Sequence, residues 1–140
     1  MHKGLDRPAQ HRARALTERV RLLMVDDDAA FGHALTMDLR RMGYALRVAL
    51  SAKACIKTLS ETVCDMAIVD AHLTQDDLSR LRPLLRARCL PVLWLLDPDA
   101  PLGAADPWLD RGDVCLRKPV GLVELERSLK QLLRWRFGWL

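Results

Sequence analysis

Residues 22–28 read Leu22-Leu23-Met24-Val25-Asp26-Asp27-Asp28, four apolar side chains followed at once by three carboxylates. A run this short and this apolar suits a strand buried on both faces, as the strands of parallel sheets are. The pattern recurs along the chain. Met66–Val69 ends in Asp70, Pro91–Leu96 is the most apolar run, and Val114–Leu116 is closed by Lys118-Pro119. Leu46, Val48 and Leu50 alternate with Ala45, Arg47 and Ala49, which predicts a half-exposed strand at a sheet edge.

Helical periodicity fills the intervals. Phe31, Leu35, Leu39 and Met42 form one stripe, preceded by Asp28 as a cap and followed by Gly43 at the usual left-handed stop. Ser51 caps a predicted helix running to about Glu61, with Ile56, Leu59 and Val63 turned inward. A third helix is expected over 76–88, shifted or kinked by Pro83. The 97–107 segment holds three prolines and a glycine, so any helix there is short or broken. The last helix starts near Gly121 and repeats Leu122, Leu125, Leu129 and Leu132, with acids early and basic residues late. Five strands separated by crossover-length segments predict a doubly wound α/β domain with helices on both faces of a parallel sheet. Function in such sheets gathers at the carboxyl ends of the strands.

Length and charge bound the rest. A chain of 140 residues is one domain's worth, and 50% apolar with 29% charged residues is an ordinary globular balance. The net charge of +4 is located entirely in residues 1–21, where Lys3, Arg7, Arg12, Arg14, Arg19 and Arg21 outnumber Asp6 and Glu18. A neutral body argues against a phosphate-binding surface, so no nucleic-acid partner is expected. No apolar run approaches the roughly 20 residues of a membrane helix, and no membrane partner is expected either. Cys55, Cys64, Cys89 and Cys115 show no metal-ligand spacing and lie among apolar neighbours, so all four are expected to be buried free thiols of a cytoplasmic protein. Residues 1–20 form a basic extension, expected to be a disordered or frayed helical arm, and 21–140 the folded domain.

Parallel strands deliver Asp26-Asp27-Asp28, Asp70 and Lys118 to one edge. Adjacent carboxylates need a compensating cation; Mg2+ binds through a few carboxylates while keeping waters, and a lysine at the same place can hold a phosphoryl oxygen. The combination points to phosphoryl transfer, in which placement and charge neutralisation do most of the work. An aspartate after a strand is often only a helix cap, which is the reading taken for Asp28. A single cap does not account for Asp26 and Asp27.

Over about Arg21–Arg136 the chain resembles the response-regulator receiver domain of two-component signalling. The resemblance is carried by LLMVDDD at 22–28, MAIVDAHL at 66–73, PVLWLL at 91–96 and LRKPV at 116–120. It implies a flavodoxin-like strand order of 2-1-3-4-5 and Asp70 as phosphoacceptor, charged from a phosphohistidine on a histidine kinase or phosphotransfer protein. It implies Mg2+ held by Asp27, by Asp26 mainly through water, by Asp70 and by the main-chain carbonyl of His72. Lys118 would contact the phosphoryl oxygens, and the Lys118-Pro119 bond would be cis. Such a domain is a phosphoacceptor rather than an enzyme, although it can dephosphorylate itself.

The resemblance fails at the switch. The Thr or Ser that usually ends the fourth strand falls on Leu96, or on Asp97 if the register slips by one, and the aromatic of the fifth strand falls on Cys115. Thr74 stands where proline is common, and the usual glycine near 78 is missing. A phosphorylation-independent pseudo-receiver, acting as a docking module, is therefore the main alternative. A haloacid-dehalogenase-type phosphatase using Asp26 and Asp28 lacks its expected Thr, and a flavodoxin-like carrier would not place three aspartates where a phosphate must sit. With 21 residues left after Pro119, a stand-alone receiver signalling through a downstream protein partner is expected. Trp135, Phe137 and Trp139 in the tail are candidates for a partner or homodimer surface.

Overall fold

The computed structural model describes residues 20–138. Five strands form one parallel sheet in the order β2-β1-β3-β4-β5. They are β1 (Arg21–Val25), β2 (Ala45–Ala49), β3 (Met66–Asp70), β4 (Val92–Leu96) and β5 (Val114–Arg117). The helices are α1 (Ala29–Arg41), α2 (Ala52–Glu61), α3 (Gln75–Ala87) and α4 (Leu122–Phe137). The 97–113 connection holds one 3-10 turn at Asp106–Trp108 and no α-helix.

Alternation along the central strands builds two cores. Leu22, Met24, Met66, Ile68, Leu93 and Leu95 face α1 and α4, where Leu35, Leu39, Leu125, Leu129 and Leu132 close over them. Leu23, Val25, Ala67, Val69, Val92 and Trp94 face the other way, against Cys55, Leu59, Leu78, Leu81 and Leu85 of α2 and α3. The core begins one residue ahead of the expected domain start, because Val20 is buried and its carbonyl accepts from Ala45 N at 3.0 Å. The rest of the expected extension, and Trp139, lie outside the described residues.

Caps follow the sequence signals. Asp28 Oδ1 accepts from the amides of Ala30 and Phe31, and Ser51 Oγ from Ala54 N. Thr74, at the position where proline was the family expectation, caps α3 by accepting from Asp77 N. Gly43 follows α1 at φ 97°, where only glycine is unstrained. Helix α3 runs through Pro83.

β2 is the half-exposed edge strand expected. On β2 the buried residue is Ala49, while Val48 and Leu50 are exposed. At a sheet edge the helices overhang only part of the strand, and Ala49 is covered because it adjoins Ala52 and Cys55 at the start of α2. Val63 is 66% exposed because α2 ends at Glu61, and Ala52, Cys55 and Leu59 form its buried face. Cys55 and Cys64 are buried, and burial pushes the Cys55 thiol up to about 12. Cys89 is exposed and not buried: at φ 54° it takes the left-handed stop after α3, which projects it outward.

The 97–113 connection is held by charges that hydrophobic periodicity does not reveal. Arg117 Nη1 donates to the carbonyls of Asp97 (3.3 Å), Pro98 (3.4 Å) and Ala100 (2.7 Å). Arg82 Nη1 donates to Trp108 O at 2.8 Å and to Asp113 Oδ2 at 3.1 Å. The Asp113 carboxylate also accepts from Val92 N, Trp94 Nε1 and Asp110 N. A buried carboxylate with these donors fixes the amino ends of β4 and β5 and the base of the connection. Removing it strands a buried guanidinium, so Asp113→Ala should lower stability by about 3–5 kcal/mol in urea unfolding followed by circular dichroism. Asp110→Ala, at the exposed end of the same network, should cost much less.

Candidate functional site

Strand register assembles the site. β1 and β3 pair Val25 with Val69, so Asp26, just past β1, lies beside Asp70, the last residue of β3. β3 pairs Asp70 with Leu95, and β4 pairs Leu96 with Arg117, which brings Asp97 and Lys118 to the same edge. The Lys118-Pro119 bond is cis.

Asp26 and Asp70 are 1% and 2% exposed. Each has one oxygen committed to the backbone: Asp26 Oδ1 accepts from Asp28 N at 2.8 Å, and Asp70 Oδ1 from His72 N at 2.9 Å. Their other oxygens converge. Lys118 Nζ is 3.5 Å from both Asp26 Oδ2 and Asp70 Oδ2. The ammonium also lies 4.4 Å from the centre of the Phe31 ring, which walls it on the α1 side. Asp27 is exposed, yet it offers a carboxylate oxygen that lies, with those of Asp26 and Asp70, within 4.8 Å of one another. Asp28 is turned away and spent on its cap.

The electrostatics are unbalanced. Burial, the largest effect, raises the Asp26 carboxyl from the ordinary 3.8 to about 6, and the Asp70 charge adds to it. The Asp28 amide and Lys118 oppose the shift without cancelling it. Asp26 Oδ2 is buried and has no hydrogen-bond donor. A buried carboxylate oxygen with no hydrogen bond and one shared ammonium at 3.5 Å, beside two further carboxylates, is a donor set suited to a hard divalent cation.

Asp97 also belongs to the site. Its Oδ1 is 3.9 Å from Lys118 Nζ and its Oδ2 is 2.8 Å from His72 Nδ1. Leu96 is turned into the core with Trp94, and Cys115 packs half-buried against the same cluster. The hydroxyl and aromatic switch positions are thus apolar packing, while a carboxylate one residue on faces the pocket. Asp97, the alternative to Leu96 for the hydroxyl position, reaches the pocket because β4 ends at Leu96 and the chain turns there. Trp135 is 51% exposed, with its ring against Gly112 and near the Arg111 guanidinium, and Phe137 is 39% exposed. Both lie at the far end of α4 from the acidic pocket.

No protein-family model matches the chain. It is 30% identical over 125 residues to the transcriptional regulatory protein QseB of Haemophilus influenzae, covering 86% of this chain and 55% of that one. The chain spans about half the length of the curated relatives it matches. Among solved structures, a response regulator receiver protein from Burkholderia phymatum superposes with a TM-score of 0.72 at 27% identity, covering 81% of this chain and 94% of that one. The signal receiver domain of an HD domain-containing protein from Pseudomonas fluorescens gives a TM-score of 0.74 at 24% identity, covering 86% and 98%. With the strand order and the acidic edge, these likenesses make the described region a response-regulator receiver domain of the two-component type. Among the described residues, no helix is long and apolar enough to cross a membrane.

The raised Asp26 carboxyl has a definite sign. Its proton is held more tightly in the folded than in the unfolded chain, so ionising it costs folding free energy. In the absence of divalent ions, stability should fall as pH rises from about 4 to about 6. Asp26→Asn should raise stability at pH 7 by about 1–3 kcal/mol in chelator-treated protein, measured by urea unfolding.

Proposed function

We propose that this domain accepts a phosphoryl group on Asp70 from a phosphohistidine of a histidine kinase or phosphotransfer protein, and that it signals by protein contacts in the cytoplasm. The observation that carries the reading is the division of labour at Asp70. One oxygen is held by the His72 amide, and the other is directed at Lys118 beside the buried Oδ2 of Asp26.

Asp70 Oδ2 would form the new bond to phosphorus while the phosphorus–nitrogen bond of the donor breaks, its electron pair returning to the imidazole. A carboxylate is a weak nucleophile, and fixing one oxygen on the His72 amide holds the other in line for attack. The Lys118 ammonium, wedged between Asp26, Asp70 and Phe31, is placed to take up the oxygens of the arriving group. Asp26, Asp27 and Asp70, with the His72 carbonyl, would hold Mg2+. When bound, that ion screens the carboxylates from one another and withdraws charge from the phosphoryl oxygens.

A docking module that never carries a phosphoryl group is the second reading, favoured by the apolar packing at Leu96 and Cys115. The phosphatase reading has no such support, because Asp28 caps α1. Trp135 and Phe137, with Trp139, remain candidates for a downstream-partner or homodimer surface.

Intact-mass spectrometry after incubation with acetyl phosphate and Mg2+ tests the first reading. A single phosphoryl adduct is expected in the wild type and none in Asp70→Asn. An adduct that survives Asp70→Asn would contradict the assignment. No adduct from acetyl phosphate or phosphoramidate would favour the docking reading.

A further inference from the structure

We propose that Asp97 reads the phosphoryl group in place of a hydroxyl: its carboxylate opposes the group's arrival at Asp70, is displaced once the group is there, and thereby frees the 97–101 segment. The inference rests on the reading of Asp70 as phosphoacceptor.

Asp97 is tied to both sides of Asp70. On one side its Oδ2 lies 2.8 Å from His72 Nδ1, and His72 N in turn donates to Asp70 Oδ1. On the other, its Oδ1 shares Lys118 Nζ, at 3.9 Å, with Asp70 and Asp26 at 3.5 Å. One ammonium therefore serves three carboxylates, and Asp97, 31% exposed, is the outermost and least committed of them.

Transfer changes that competition. A phosphorus–oxygen bond forms to Asp70 Oδ2, and the donor's leaving group departs with the electron pair of the bond that breaks. The single negative charge of the Asp70 carboxylate is replaced by the double charge of an acyl phosphate, carried on oxygens that extend toward Lys118. These oxygens are stronger acceptors for the ammonium than a carboxylate at 3.9 Å. Asp97 loses its share of Lys118 and faces a like charge across the pocket. A threonine or serine would be drawn toward the same group by donating a hydrogen bond, so the sign of the response is inverted here.

The surroundings allow the movement and transmit it. A cavity of about 330 Å³ between His72, Asp97, Pro101 and Ala104 adjoins the carboxylate. The backbone that follows is not fixed by a helix. It is held by the Ala100 N to Asp97 O bond at 3.1 Å and by Arg117 Nη1 on the carbonyls of Asp97, Pro98 and Ala100. Moving Asp97 outward pulls on those bonds directly.

The test is an intact-mass time course with acetyl phosphate at saturating Mg2+ on wild type, Asp97→Asn and Asp97→Glu, followed by hydrogen exchange of each phosphorylated sample. Removing the opposing charge should speed adduct formation about tenfold in Asp97→Asn. Asp97→Glu, which keeps the charge, should form the adduct more slowly than Asp97→Asn. The phosphorylated wild type should show faster exchange at 97–101, including the Ala100 amide, and the phosphorylated Asn variant should not. Equal rates in wild type and Asp97→Asn, or the same exchange increase in both, would overturn the proposal while leaving Asp70 as acceptor. Absence of an adduct from all three proteins would remove the Asp70 reading and this inference with it.

Discussion

The Lys118 ammonium, 3.5 Å from two buried carboxylates, is the interaction on which the site depends. Asp26 and Asp70 are almost wholly excluded from solvent, and together they carry more negative charge than one lysine offsets. That imbalance is written into Asp26, whose carboxyl is pushed up to about 6 and whose Oδ2 has no donor. The sheet makes the arrangement unavoidable, since parallel register sends Asp26, Asp70 and Lys118 out of the same edge. Its cost falls on the fold until a cation enters the balance.

Because two core layers and a pinned connection support that edge, its geometry is rigid from below. Leu22 and Met24 lock β1 to α1 and α4, while Leu23 and Val25 lock it to the opposite layer. Asp113 gathers Arg82, Trp94 and two backbone amides at the other end of β4 and β5. A chain stapled by Arg117, not an α-helix, follows β4, starting at Asp97. The receiver scaffold is retained, and the element next to its pocket is rebuilt around charge.

The sequence disclosed the scaffold because apolar runs, stops and caps are local signals. Asp28, Ser51 and Gly43 each sit where their own chemistry places them, and the sheet order follows from the resemblance carried by LLMVDDD and LRKPV. Facings at the periphery were less legible. Alternation in 45–50 marks a half-exposed edge strand but cannot say how far a helix overhangs it, and Ala49 is the residue covered. Periodicity also cannot tell where α2 stops, which left Val63 outside. The polar anchors were invisible for a different reason: Arg82 and Asp113, 31 residues apart, become partners only through the fold. For the pocket itself, Asp26, Asp27, Asp70 and Lys118 were legible as strand-end residues. Asp97 was legible only as an alternative for the hydroxyl position; its closeness to His72 was not, because it depends on the turn after Leu96.

The claim that the buried carboxylates are an incomplete charge balance is tested most directly by thermal unfolding in chelator and in millimolar Mg2+, on wild type and Asp27→Asn. Binding to the folded state alone raises the midpoint, by the equivalent of about 2.7 kcal/mol at a hundredfold excess over the dissociation constant. The account predicts a clear Mg2+-dependent rise in the wild type that is reduced in Asp27→Asn. A wild-type midpoint unmoved by Mg2+ would contradict it, since the pocket would then be stable as a set of carboxylates and one lysine with no cation required.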